Sequence, residues 1–71
     1  MAKNLEMKLA RAKLGMTQLD LAEKVGIKEH QITLIETGRG RSILSYGLAC
    51  RIAEVLKVKV NDIFPELKGD D

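Results

Sequence analysis

Seventy-one residues leave room for one domain built around one small core. Only Tyr46 and Phe64 are aromatic, so that core must come from Leu, Ile, Val, Ala and Met, which suits small helices better than a β-sandwich. The net charge of +2 is unevenly spread: residues 66–71 hold Glu66, Asp70 and Asp71 against Lys68, and removing them leaves 11 basic and 7 acidic residues, a body of +4. A basic body with an acidic tail suits a polyanionic partner.

Cys50 stands alone, so an intrachain disulfide is excluded and a reducing cytoplasmic setting is expected. The first residues show neither the apolar run nor the cleavage pattern of a signal peptide. No stretch approaches the ~20 apolar residues of a membrane span. A core this small implies a stability of ~3–5 kcal/mol, which dimerisation would raise.

Helix 1 is predicted over about 4–14, with Asn4 as N-cap and Gly15 as stop. Its apolar residues (Leu5, Met7, Leu9, Ala10, Ala12, Leu14) spread over more than one face, so both helices 2 and 3 and the C-terminus or a partner are expected to cover it. Thr17 reads as the N-cap of helix 2, about 18–25, with Asp20 three positions on as its capping partner. Helix 3 is expected over about 28–37, ended by Gly38, and a loop of Arg39, Gly40 and Arg41 follows.

Either Ser42 or Ser45 can cap helix 4, whose stripe is Tyr46, Ala49, Ile52, Ala53 and Leu56. Ser45 is preferred, because it places Gly47 in the first turn, where it avoids the roughly 1 kcal/mol that glycine costs a helix interior. Val58 and Val60 alternate with Lys57 and Lys59 like a short strand, but no partner strand exists for it. That segment therefore reads as the link into a short helix 5, about 61–67, with Pro65 near an end and a frayed tail at 68–71.

The segment 17–38, TQLDLAEKVGIKEHQITLIETG, carries the densest information. Small or apolar residues fall at Leu21, Ala22, Val25, Gly26, Ile27, Ile32 and Ile35. Two short helical stripes separated by one glycine describe two helices that cross at a tight turn and share a core face. Ala22 permits close approach, and Gly26 can take the positive φ that ends the first helix.

The spacing of Ala22, Gly26, Ile32 and Ile35 resembles the helix-turn-helix of the Cro and phage-repressor (XRE-like) family of DNA-binding domains. The likeness extends from about residue 5 to residue 64. It includes Arg11 followed by Leu14-Gly15-Met16-Thr17-Gln18, then Ile35-Glu36-Thr37-Gly38, Ile52-Ala53-Glu54-Val55-Leu56 and Val60-Asn61-Asp62-Ile63-Phe64. It implies an all-α, compact five-helix fold filling the single domain 1–71, with an ordered core at about 4–67. Lys28 departs from the family's small hydroxyl residue at the start of helix 3, and the loop after Gly38 is about two residues longer and lacks its usual proline.

With Ile32 placed at zero and about 100° added per residue, the buried face of helix 3 centres between Ile32 and Ile35, and His30, Thr33, Leu34 and Thr37 lie opposite. The N-terminal residues of a recognition helix come nearest the base edges, so Lys28, Glu29, His30, Thr33 and Leu34 are the expected readers. The resemblance picks the same positions. Lys28 can donate to guanine or phosphate, His30 to N7 or O6, and Leu34 can pack on a thymine methyl; Thr33 can donate, accept or present its methyl. Glu29 either accepts from cytosine N4 or favours the positive helix N-terminus and points away from DNA.

Phosphate contacts are expected from Arg39 and Arg41, and from the N–H groups at the starts of helices 2 and 4, which Thr17 and Ser45 cap. Gln18 resembles the family's backbone-contacting glutamine. The resemblance also makes Arg11 and Glu36 an ion pair that locks helix 1 to helix 3. Lys8, Lys13 and Cys50 read as ordinary surface or boundary residues, and His30 has no companion at metal-ligand spacing.

One His, one Cys and no glycine-rich phosphate loop leave nothing from which to assemble an active site, and neither a cofactor nor a small-molecule ligand is implied. The expected function is a sequence-specific transcriptional regulator, a repressor, that binds double-stranded DNA as a homodimer on a roughly palindromic operator. Its dimer surface is expected at Leu5, Leu9, Val60, Ile63, Phe64 and Leu67, unless these residues cover the monomer's own core. The alternative is a protein-interaction module of the same fold, such as an antitoxin or anti-repressor-like partner.

Overall fold

The computed structural model describes residues 4–40 and 42–65. Five helices follow in order: α1 (Leu5–Lys13), α2 (Gln18–Val25), α3 (Glu29–Glu36), α4 (Tyr46–Leu56) and α5 (Val60–Ile63). Among the described residues there is no strand. Arg41, Leu67 and the tail 68–71 lie outside the described residues.

The fully buried residues come from every helix. Met7 is contributed by α1, Leu21, Ala22 and Val25 by α2, Ile32 and Ile35 by α3, Ala49, Ile52, Ala53 and Leu56 by α4, and Ile63 by α5, with Phe64 just beyond it. The core is thus aliphatic with one large ring at its base. One expectation is corrected here, at Tyr46. Tyr46 does not join the α4 stripe but stays 43% exposed at the first helical position. On α1 Met7 alone is fully buried, while Leu5 and Leu9 are 61% and 56% exposed.

The caps explain where the helices begin. Asn4 accepts from the Met7 N–H through Oδ1 at 3.0 Å, and its Nδ2 donates to the Ile63 carbonyl at 2.6 Å. Its backbone N–H donates to the Glu36 carbonyl at 2.9 Å, so one residue joins the start of α1 to the ends of α3 and α5. Ser45 Oγ accepts from the Leu48 N–H at 3.1 Å, which starts α4 where expected and leaves Gly47 in the first turn.

The C-terminal helix is shorter than the spacing predicts and starts earlier. Lys57 takes a left-handed conformation (φ 61°) and ends α4, with the Val58 N–H returning to the Ala53 carbonyl at 3.0 Å. Lys59 then caps α5, its N–H donating to Asp62 Oδ2 at 3.1 Å. The alternating Val58 and Val60 are therefore the last residues of a helix–helix turn and the first of a new helix. Pro65 falls just after the end of α5, the place its missing N–H permits.

Candidate nucleic-acid interface

The α2–turn–α3 unit is fixed at both ends of its first helix. Thr17 Oγ1 accepts from the Asp20 N–H at 3.0 Å while Asp20 Oδ2 accepts from the Thr17 N–H at 3.0 Å, a reciprocal capping box. The Thr17 backbone N–H and then its hydroxyl hold the Asp20 carboxyl below its ordinary range, against an opposing effect of desolvation, with the positive charge of Lys24 adding least. At the other end Gly26 has φ 94°, in the left-handed region, and its N–H and that of Ile27 both return to the Ala22 carbonyl, at 2.8 and 3.0 Å. Arg51 of α4 donates from Nη1 to the Val25 carbonyl at 2.9 Å, closing the last turn of α2 from outside.

The start of α3 resolves the departure at Lys28. Lysine has no acceptor with which to cap, so Gln31 does the work alone: its Oε1 accepts from the Lys28 N–H at 3.0 Å. Helix α3 spans one residue less at each end than expected. Ile32 and Ile35 are fully buried, and Ala22 beneath them, also fully buried, is small enough for α3 to come close.

The opposite face of α3 presents the expected readers unevenly. Lys28, Glu29, His30 and Thr37 are exposed, whereas Thr33 and Leu34 are half-buried. Thr37 donates its hydroxyl to the Thr33 carbonyl at 2.8 Å, which commits that proton to the end of the helix.

Behind this face runs a connected polar network. Arg11 grips Glu36 with two hydrogen bonds, Nε to Oε2 at 2.9 Å and Nη2 to Oε1 at 3.2 Å, and its Nη1 donates to the Met16 carbonyl at 2.8 Å. Side-chain exposures of 12% for Arg11 and 5% for Glu36 make this a largely desolvated pair. Gln18 Nε2 donates to Glu36 Oε1 at 3.0 Å, and Gln18 Oε1 accepts from the Thr33 hydroxyl at 2.8 Å. Gln18 is therefore engaged inside the domain; what it can still offer a phosphate is its second amide hydrogen and its backbone N–H at the start of α2.

Beyond α3, Gly38 turns the chain with φ 82°, and the Arg39 N–H donates to the Leu34 carbonyl at 2.7 Å. Arg39 is exposed, and Ser45 stands exposed at the start of α4. Gly40 is buried against Ile35, an approach that no spacing rule announces. The Gln18–Thr33 bond, the Arg51–Val25 bond and the bonds from Asn4 to Glu36 and Ile63 likewise join residues 15 to 59 positions apart, beyond the reach of periodicity.

The expected dimer residues divide. Ile63 and Phe64 belong to the monomer's own core and are not available to a partner. Leu5 and Leu9 are exposed, Val60 is half-buried, and Leu67 lies outside the described residues. A groove beside Leu9 is lined by Ala10, Leu14, Leu56 and Val58 and bordered by Glu6, Lys13, Lys57 and Asp62.

Comparison with known proteins agrees with this geometry. A family model described as helix-turn-helix matches residues 7–63, from the buried Met7 to the buried Ile63. A protein of Archaeoglobus fulgidus described as an uncharacterized HTH-type transcriptional regulator is 43% identical over 54 residues, covering 76% of this chain and 74% of its own. One of Methanocaldococcus jannaschii with the same description is 41% identical over 59 residues, covering 83% of this chain and 86% of its own. No solved structure matches the chain. The chain belongs to the Cro and phage-repressor (XRE-like) helix-turn-helix family, a family of DNA-binding regulatory domains and not of enzymes.

Proposed function

We propose that this protein is a sequence-specific transcriptional regulator that acts as a repressor. Helix α3 enters the major groove, and two copies occupy a roughly palindromic operator. The observation that carries this reading is the contrast between the two faces of α3. Ile32, Ile35 and Glu36 are buried and locked to α1 and α2, while Lys28, Glu29 and His30 stand free at the N-terminal end. A recognition helix needs that combination: rigid placement behind, adaptable donors and acceptors in front.

The surrounding features support the same orientation. Gln18 opens α2 beside Thr33, so the N–H groups of the α2 start adjoin the reading face. Arg39 lies three residues beyond the end of α3, and Arg41 extends the same basic loop in the sequence. Dimerisation through Leu5, Leu9 and Val60 would set two α3 helices about 34 Å apart, one turn of B-DNA. Among the described residues no helix is long and apolar enough to cross a membrane, and a DNA-bound life in the cytoplasm fits the chain's chemistry.

A mobility-shift assay with random duplex DNA at low salt tests the reading. Non-specific association should appear in the micromolar range, because phosphate neutralisation supplies it without any particular sequence. Free DNA at tens of micromolar protein would instead favour the interaction-module reading, for which the exposed acid Glu29 at the tip of α3 is the supporting feature.

A further inference from the structure

We infer that Thr33 reads DNA as a hydrogen-bond acceptor and not as a donor, and so selects a base that offers an exocyclic amine: adenine N6 or cytosine N4. The inference rests on the proposal that α3 enters the major groove. Its basis is the direction of the hydrogen bonds that reach Thr33 from Arg11.

The direction is set at Glu36. Its carboxylate, gripped by Arg11, can only accept, so the Gln18 atom 3.0 Å from Oε1 must be the amide nitrogen. Fixing that end fixes the other: Gln18 presents its carbonyl oxygen to Thr33, 2.8 Å away. An amide oxygen has no proton to give, so Thr33 must be the donor. A threonine hydroxyl has a single hydrogen, and here it points inward. The one other acceptor within reach, the Glu29 carbonyl at 3.3 Å, also lies within the protein. What Thr33 has left for the groove is a pair of acceptor sites and a methyl group.

The major groove distinguishes bases by such polarity. Guanine shows only acceptors, N7 and O6, whereas adenine and cytosine each show an amine donor. A hydroxyl whose proton is committed repels the guanine pattern and matches the amines. Gln18 is the positioning residue: it touches no base in this account but decides which face of the Thr33 hydroxyl is turned outward.

The test uses duplexes selected by the wild-type protein, with analogues that lack one group placed at each position of the half-site in turn. At one position, removing the exocyclic amine should weaken wild-type binding about three- to tenfold, the worth of a single hydrogen bond. T33V should lose the same factor on the natural duplex and lose nothing more when the amine is absent. T33S, which keeps the hydroxyl, should retain the sensitivity to the amine. In Q18M the hydroxyl holds only the longer bond to Glu29, so discrimination between the amine-bearing base and guanine at that position should narrow. A wild type indifferent to the amine at every position overturns the inference, whether or not T33V folds. So does a T33V defect that follows removal of guanine N7 instead. An unchanged Q18M ratio overturns the role of Gln18. Failure of the wild type to retain any duplex would overturn the DNA reading itself, whereas a wild type that binds selectively while T33V is silent overturns the Thr33 assignment alone.

Discussion

Gly40 rests on the backbone of Ile35: a Cβ at position 40 would lie 2.6 Å from Ile35 Cγ1, 2.8 Å from its Cα and 2.9 Å from its nitrogen. The loop after α3 is therefore packed onto α3 itself. The Gly40 carbonyl also accepts from the N–H groups of Ile43 and Leu44, at 3.1 and 3.0 Å, which carries the chain on toward α4. Position 40 thus governs where the basic loop leaves α3.

G40A should destabilise the domain by about 1–3 kcal/mol, because the clash is with the backbone of Ile35 as well as its side chain, and helix backbone cannot swing away. Urea denaturation measures it. In a chain worth ~3–5 kcal/mol that loss brings a large fall in the midpoint. A midpoint equal to wild type would show that the loop does not press on Ile35.

The Arg11–Glu36 pair predicts strong non-additivity. R11M leaves the Glu36 carboxylate nearly buried with only Gln18 for company, at a cost of about 3 kcal/mol. The double variant R11M/E36L removes both charges and should recover at least half of that. A double-mutant cycle by thermal melting checks it; additive losses would mean that the two side chains act independently.

The Asp20 cap predicts an acid dependence. Its carboxyl titrates below its ordinary value of 3.8 in the folded chain, so the unfolded chain takes up the proton first. Its contribution is complete above that ordinary value and disappears as pH falls through the lower folded value. D20N should therefore lose less stability than wild type as pH falls past 3.8 and through the lower folded value, with a similar profile at higher pH. Parallel acid limbs in the two proteins would remove Asp20 from the account.

Much of this fold is written in local spacing. Thr17 with Asp20, Ser45 before Leu48 and Asn4 before Met7 are short-range caps, and each starts its helix where the residue types imply. The Arg11–Glu36 pair is legible by resemblance, although it spans 25 positions. What escapes spacing is the side chain that serves a distant backbone, such as Arg51 at Val25, and the glycine needed for close approach, such as Gly40. The end of α4 escapes it too, because Lys57 adopts a conformation usually left to glycine. Among the candidate readers, helical geometry finds the outward face but not the hydrogen-bond direction at Thr33, which is decided on α2 and at the end of α3.

The loop arginines make a separate claim about grip. R39A/R41A should weaken binding by a similar factor on every duplex and flatten the dependence of log affinity on log salt by about one unit for each phosphate no longer neutralised. Titrations at several salt concentrations measure the slope. An unchanged slope would place both arginines outside the footprint.

If α3 reads sequence from a paired, symmetric protein, selection of bound duplexes from a random pool by the wild-type chain should enrich two inverted half-sites whose centres are about 10 base pairs apart, one turn of the double helix. Retention of DNA with no enriched sequence, or a single unrepeated half-site, would contradict it.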